Sequence, residues 1–248
     1  MSDPRATSPV ADQPAGATTR GILDRPVGVT QGASVQATYL TQAFVWMVAG
    51  LLLSAVVASV TQSNEQLLAF AADNFLLVII AQLGLVFAIQ LGINRLGATA
   101  ALGLFFVYAA SLGLTLGLIV AAFEFGSVVT AFLSASAVFG AAAVYGRVTK
   151  RSLAGIGGIL FIGLIGLIAA SVLNLFLASG GLSWIISIAG VGLFTVLTAY
   201  DVQRIQNGDL VVYTGSSEKA AVLGAVHLYL DFLNLFLFLL DILGGSRE

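Results

Sequence analysis

Along most of its length this chain alternates long apolar runs with short polar breaks. A helix that crosses a bilayer needs about 20 mostly apolar residues. Seven runs reach that length: roughly 38–60, 75–94, 98–121, 127–146, 153–177, 182–205 and 219–243. INRLGAT separates the second run from the third, and FEFGS the third from the fourth. Breaks this short predict sequential, antiparallel neighbours in one helical bundle. The predicted fold is all-α, a polytopic bundle of seven transmembrane helices over residues 37–248.

Residues 1–36 follow a different pattern, rich in Pro, Gly, Ser, Thr and Ala with scattered charge and no apolar run. They lack the succession of charged, apolar and small-residue regions that marks a secretory signal. Such a segment cannot bury enough apolar surface to fold, so a disordered cytoplasmic tail is expected, with the first helix starting near Tyr39.

Composition narrows the class further. The chain is 58% hydrophobic and 9% charged, against about 25% charged in a soluble domain. The net charge is −2 and no basic stripe is present, so nucleic acid is not an expected partner. The absence of cysteine removes disulfides, zinc–thiolate clusters and thiol nucleophiles. No cofactor is expected.

Lys and Arg set the orientation. With seven alternating helices, Arg5, Arg20, Arg25, Arg95, Arg147, Lys150, Arg151, Arg204 and Lys219 fall on one side, and the other receives Arg247. The positive-inside rule then puts the N-terminus in the cytoplasm and the C-terminus outside. Loop 62–74, with Glu65, Asp73 and no cation, suits the outer side. A six-span alternative would make one segment re-entrant, most plausibly the last.

The 28 glycines fit close helix packing. Ala109, Gly113, Gly117 and Ala121 recur every four residues, a stripe that lets a neighbour approach. Gly155, Gly158, Gly163 and Gly166 thin the fifth run in the same way. A glycine hinge for gating is the alternative. No internal repeat is evident, so an inverted-repeat transporter is not supported.

The candidate chemistry lies in two aspartates inside apolar runs, Asp201 in LTAYDVQRIQ and Asp231 in LYLDFLNLFLFLL. A carboxylate at the centre of a membrane helix costs about 2.5 to 3.5 kcal/mol on insertion scales, and such groups mark ion or proton pathways. Asp201 lies about one turn from the cytoplasmic end of the sixth run. Its i+4 position is Ile205, so any partner must come from another helix; snorkelling to the interface is the alternative. Asp231 stands about 18 Å from Lys219 at 1.5 Å per residue. His227 and Asn234 share its helix face, and a purely structural hydrogen-bonding role is the alternative. If the carboxyls approach, two like charges in low dielectric share a proton and titrate as a pair. That makes a pH switch, closed while the proton bridges them and open when it leaves. Arg95 is the natural third partner, or else a positive-inside anchor. His227 relays protons or bonds a neighbouring span. Gln82 and Gln90 could line the same cavity, and Glu124 is read as solvated.

TAYDVQRIQ, YGRVTKRSLAGIG, GAVHLYLDFLNLFLFLLDILGG and INRLGATAALGLFFVYAASLGLTLG resemble the Bax inhibitor-1 family, in its bacterial YccA-like branch of transmembrane Bax inhibitor motif proteins. The likeness covers about residues 38–245. It implies seven helices with the last one central, a bacterial inner-membrane location, and a pH-sensitive calcium leak gated by an aspartate pair. Asp201 and Asp231 fall on that pair. Arg95 falls on the arginine that latches the pair when closed. The resemblance also implicates a membrane-bound AAA protease, the FtsH enzyme, as a partner. Asp241 departs from the family pattern, standing where many relatives carry a basic residue.

Three functions compete. The first is a proton-regulated calcium or cation leak, with a weak transient calcium site at Asp201 and Asp231 completed by Asn234, carbonyls and water. The second is a modulator of an FtsH-like protease, bound through the cytoplasmic tail. The third is an intramembrane aspartyl protease, for which Tyr200-Asp201 fits but the residues before Asp231, Leu228-Tyr229-Leu230, do not supply the expected Gly-x-Gly-Asp. The expectation is therefore a non-enzyme.

Overall fold

The structure, a computed structural model, describes residues 27–244, with side chains from residue 38 onward. The chain divides into Met1–Val35, whose described part is the first turns of one helix, and Gln36–Glu248, which holds the bundle. Most of the expected tail lies outside the described residues. Its last ten positions do not, and they are helical: α1 runs over Val27–Ser63.

Six further long helices follow: α3 (Phe75–Gly92), α4 (Ala98–Ala121), α5 (Phe125–Val148), α6 (Gly157–Leu177), α7 (Gly180–Asn207) and α9 (Ser217–Leu243). With Thr38–Ser63 of α1, and with α6 extended by a 3₁₀ turn at Ala154–Ile156, they make seven helices long and apolar enough to cross a membrane. Each expected span falls on one of them. The fold is all-α, and no strand occurs among the described residues.

Two connections carry short helices that the apolar pattern does not announce. Segment 62–74 contains α2 (Glu65–Asp73), capped by Asn64, whose Oδ1 accepts from the N–H groups of Gln66 and Leu67 at 3.0 and 3.1 Å. The link from α7 to α9 contains α8 (Asp209–Thr214). Gly208 and Gly215 bound it at φ +85° and +67°, the left-handed region open to glycine at little cost.

Lipid tails are as apolar as leucine, so helices in a bilayer associate through close packing and polar contacts rather than water exclusion. Small residues therefore decide who meets whom. Gly113 and Gly117 turn toward α1. A Cβ at Gly113 would stand 2.6 Å from the Val57 Cβ and 2.8 Å from the Ser54 carbonyl oxygen, and one at Gly117 2.7 Å from the Thr61 Cβ. The expected stripe on α4 is thus a docking groove for α1. The glycines of the fifth run behave differently. Gly155, Gly158 and Gly166 face open space, and Gly163 alone of the four meets a neighbour, Leu193 of α7. They lie on the exposed side of a helix held mainly by α7.

The sequential-neighbour expectation holds for α3 with α4 and for α6 with α7. It fails for α5, which packs on α7 and α9 rather than on α4 and α6. The reason is its own small face: Ala131, Ala135, Ala142 and Gly146 are buried, and Gly146 sits against the Ala199 backbone of α7. Helix α9 is the central element. Of its span, 67% is buried, against 6% for α6, and it touches α4, α5, α7 and α8.

Charge is segregated between the two ends of the bundle. Arg95, Arg147, Lys150, Arg151, Arg204 and Lys219 belong to the end with the α3–α4 and α5–α6 links. Among the described residues the opposite end carries Glu65, Asp73, Glu124 and Asp241 and no Lys or Arg. Two contacts tie the basic end together. Lys219 Nζ donates to the Asn94 carbonyl at 3.2 Å. Gln203 donates to the Arg151 carbonyl at 2.9 Å and accepts from the Leu153 N–H at 2.7 Å.

Candidate functional site

Helices α7 and α9 run antiparallel along a seam whose register is fixed by contacts from end to end. Ser187 meets Asp241, Gly190 meets Phe238, Asp201 meets His227, and Ile205 meets Gly224. Each step toward the basic end of α7 is matched by a step toward the start of α9. On α9 the residues His227, Asp231, Asn234, Phe238 and Asp241 follow spacings of four and three, which keeps them on one face. They span about 21 Å of helix.

Asp201 and His227 form the level of this column nearest the basic end. Asp201 is buried, and its Oδ1 lies 3.7 Å from His227 Nδ1, the one ion-pair distance within 4.0 Å among the described residues. That separation exceeds hydrogen-bonding reach, and the buried Nδ1 has no hydrogen-bond partner. The partner of Asp201 thus comes from another helix, as the Ile205 position requires. Ile205 itself is fully buried and closes over Gly224.

Asp231 stands one turn further in. It is 4% exposed, and its Oδ2 is buried without a hydrogen-bond partner. A buried carboxyl oxygen with no donor forfeits its desolvation free energy, several kcal/mol if ionised. Oδ2 of Asp231 is thus the carboxyl oxygen of this site that lacks a donor.

Asn234 is half-buried and spends one amide hydrogen on its own helix, donating to the Leu230 carbonyl at 2.8 Å. It lines a crevice of about 260 Å³ between α6, α7 and α9. Arg95, expected beside the aspartates, is exposed in the α3–α4 link and makes no ion pair with either. The fixed cation contact there belongs to Lys219. Gln82 does not line the aspartate site either. Its Nε2 donates to the Ser111 carbonyl and the Thr115 hydroxyl, both at 2.8 Å, and so fastens α3 to α4. Glu124 is exposed ahead of α5.

A family model described as "Inhibitor of apoptosis-promoting Bax1" matches residues 36–248. The chain belongs to the Bax inhibitor family. Its similarity to the inner membrane protein YbhL of Escherichia coli (strain K12) is 41% identity over 216 residues, 85% of this chain and 92% of that protein. Uncharacterised proteins of Deinococcus radiodurans and Borreliella burgdorferi are 42% and 41% identical, again across 85% of this chain. This is a multi-pass membrane protein.

Within this Bax inhibitor fold, three polar contacts escaped the sequence. Tyr229, fully buried, stands 2.7 Å from Ser54 of α1. Because Ser54 gives its hydrogen to a carbonyl, that of Ala109 at 2.7 Å or Gly50 at 3.0 Å, Tyr229 is the donor. Gln203 clamps the α5–α6 link two residues from Asp201. Asp241 accepts from Ser187 at 2.6 Å and Ser183 at 3.2 Å, beside a cavity of about 360 Å³ at the acidic end. The signals were present as polar residues in apolar runs, but their pairing depends on helix register, which a single sequence does not carry.

Proposed function

We propose that this Bax inhibitor family member is a pH-sensitive calcium or cation leak of the bacterial plasma membrane, gated at Asp201 and Asp231. The observation that carries the reading is the buried, unpartnered carboxyl oxygen of Asp231 one turn from the Asp201–His227 pair. In the closed form the two carboxyls share a proton. As pH rises the proton leaves, two like charges remain in low dielectric, and their repulsion loosens the α7–α9 seam. His227, 3.7 Å from Asp201, is the side chain placed to relay the proton out of the seam. The proposed topology places the basic end in the cytoplasm, with the N-terminus, and the acidic end outside. Carboxylates around an outer mouth raise the local concentration of cations.

Calcium takes six to eight oxygen ligands. Two carboxylates supply part of such a shell, and carbonyls and water complete it, which gives a transit site of low affinity. Arg95 is exposed in this structure and forms no ion pair with Asp201 or Asp231.

The test is calcium entry into liposomes carrying the purified full chain, measured between pH 6 and 8 beside empty liposomes. Entry that rises with pH supports the leak. Flux equal to that of empty liposomes at every pH removes it and leaves contact with a membrane AAA protease as the function to examine.

A further inference from the structure

We propose that the outer half of the route to the aspartates runs along the α6–α7–α9 seam and that Phe238 is the partition that interrupts it. The proposal deepens the leak reading and rests on it for the identity of what passes. Two cavities lie in series on this seam. The outer, about 360 Å³, holds Asp241, Ser183, Ser187 and Asn174. The inner, about 260 Å³, holds Asn234, the residue one turn from Asp231. They share Ser171, Leu175 and Phe238 as walls. The first two are on α6, so the α9 contribution to the partition is the Phe238 ring.

That ring is held by a notch. Gly190 of α7 faces it so closely that a Cβ there would stand 2.5 Å from ring carbons. Phe194 stacks on it at 6.0 Å between centroids. The two spaces are mostly apolar and carry a few polar groups each, and an aromatic ring between such spaces closes them to water and ions by dewetting. Phe238 is only partly buried, so one side of the ring is free of protein contacts and the proposed opening moves the ring out of the notch toward that side. Asp241, fixed by two serine hydroxyls at the outer mouth, then supplies the first oxygen that an entering cation meets.

The cysteine-free sequence allows a test independent of flux. Ser183→Cys, at a half-buried wall of the outer cavity, and Asn234→Cys, each alone in the full chain in liposomes, are treated from outside with a cationic, impermeant methanethiosulfonate. Ser183→Cys reacts in every background, which also reports correct insertion. Asn234→Cys is protected with Phe238 in place and reacts at least about tenfold faster with Phe238→Ala. Gly190→Ala, which displaces the ring without removing it, gives an increase in the same direction. Equal rates for Asn234→Cys in all three backgrounds, fast or slow, overturn the partition. Calcium flux that titrates through the aspartates alongside such equal rates sinks this inference alone. A labelling difference without any flux keeps the partition and removes the leak reading.

Discussion

Replacing Gly146 by alanine puts a carbon where α7 already is. The new Cβ would press on the Ala199 carbonyl oxygen, with Ala199 C and Cα 2.9 Å away. Carbon atoms rest at about 3.5–4.0 Å, so the α7 backbone must withdraw by about 0.6 to 1.1 Å. Backbone atoms cannot rotate aside as a side chain can. Overpacking of this kind costs about 1 to 3 kcal/mol, while removing a helix glycine returns at most about 0.5 to 1 kcal/mol, and less at Gly146 in the last turn of α5. Gly140, one and a half turns earlier on α5, meets nothing within 4 Å, so Gly140→Ala should show the gain alone. The two variants therefore differ by the overpacking term. Reversible unfolding in mixed SDS micelles, followed by circular dichroism, measures it. Gly146→Ala should unfold at lower SDS than wild type and Gly140→Ala at equal or higher SDS. If Gly146→Ala matches Gly140→Ala, α5 and α7 are not packed backbone to backbone, and the register that positions Asp201 loses its support.

The same assay serves two of the three remaining predictions, and amide exchange the third. Tyr229→Phe should cost about 0.6 to 1.7 kcal/mol, the range of interhelical hydrogen bonds in membranes. Adding it to Ser54→Ala should cost less than the two separate losses together. Ala178, exposed at the end of α6 with φ +46°, sits where a Cβ is penalised, so Ala178→Gly should stabilise the fold by about 1 kcal/mol. Gln203→Ala removes both bonds to the α5–α6 link and should accelerate amide exchange at Leu153 with a local loss of about 1 to 3 kcal/mol; unchanged exchange would show that the link is held by other means.

The seven spans were legible because a bilayer demands one property, about 20 apolar residues in a row, and the chain states it seven times. The stripe of Gly113 and Gly117 was legible as a groove for the same reason: in lipid, small residues at helical spacing are themselves the packing signal. The comparable stripe of Ala131, Ala135, Ala142 and Gly146 was equally readable, and it is what sends α5 to α7 and α9. Helices α2 and α8 were hidden because nothing apolar marks a helix of nine or six residues, although Gly208 and Gly215 bracket α8 and signal its ends. Asp201 and Asp231 stood out as charges in apolar runs. Their geometry did not: the Asp201–His227 pairing and the Asp241–serine cluster follow from how far α9 slides along α7, and the exposure of Arg95 from the course of the α3–α4 link. That slide is set by Gly224 under Ile205 and Gly190 under Phe238, and such cross-helix notches become visible only when both helices are in place.

If Asp201 and Asp231 form the proposed pH-sensing gate, calcium entry depends on both carboxyls. Calcium entry into liposomes is recorded across pH 6 to 8 for the full chain, for Asp201→Asn and for Asp231→Asn, with insertion checked for each. Wild-type entry should rise with pH, and either substitution should flatten the dependence, because one remaining carboxyl has no like charge to repel it. A wild-type profile that both substitutions reproduce would move the pH sensor away from the α7–α9 seam.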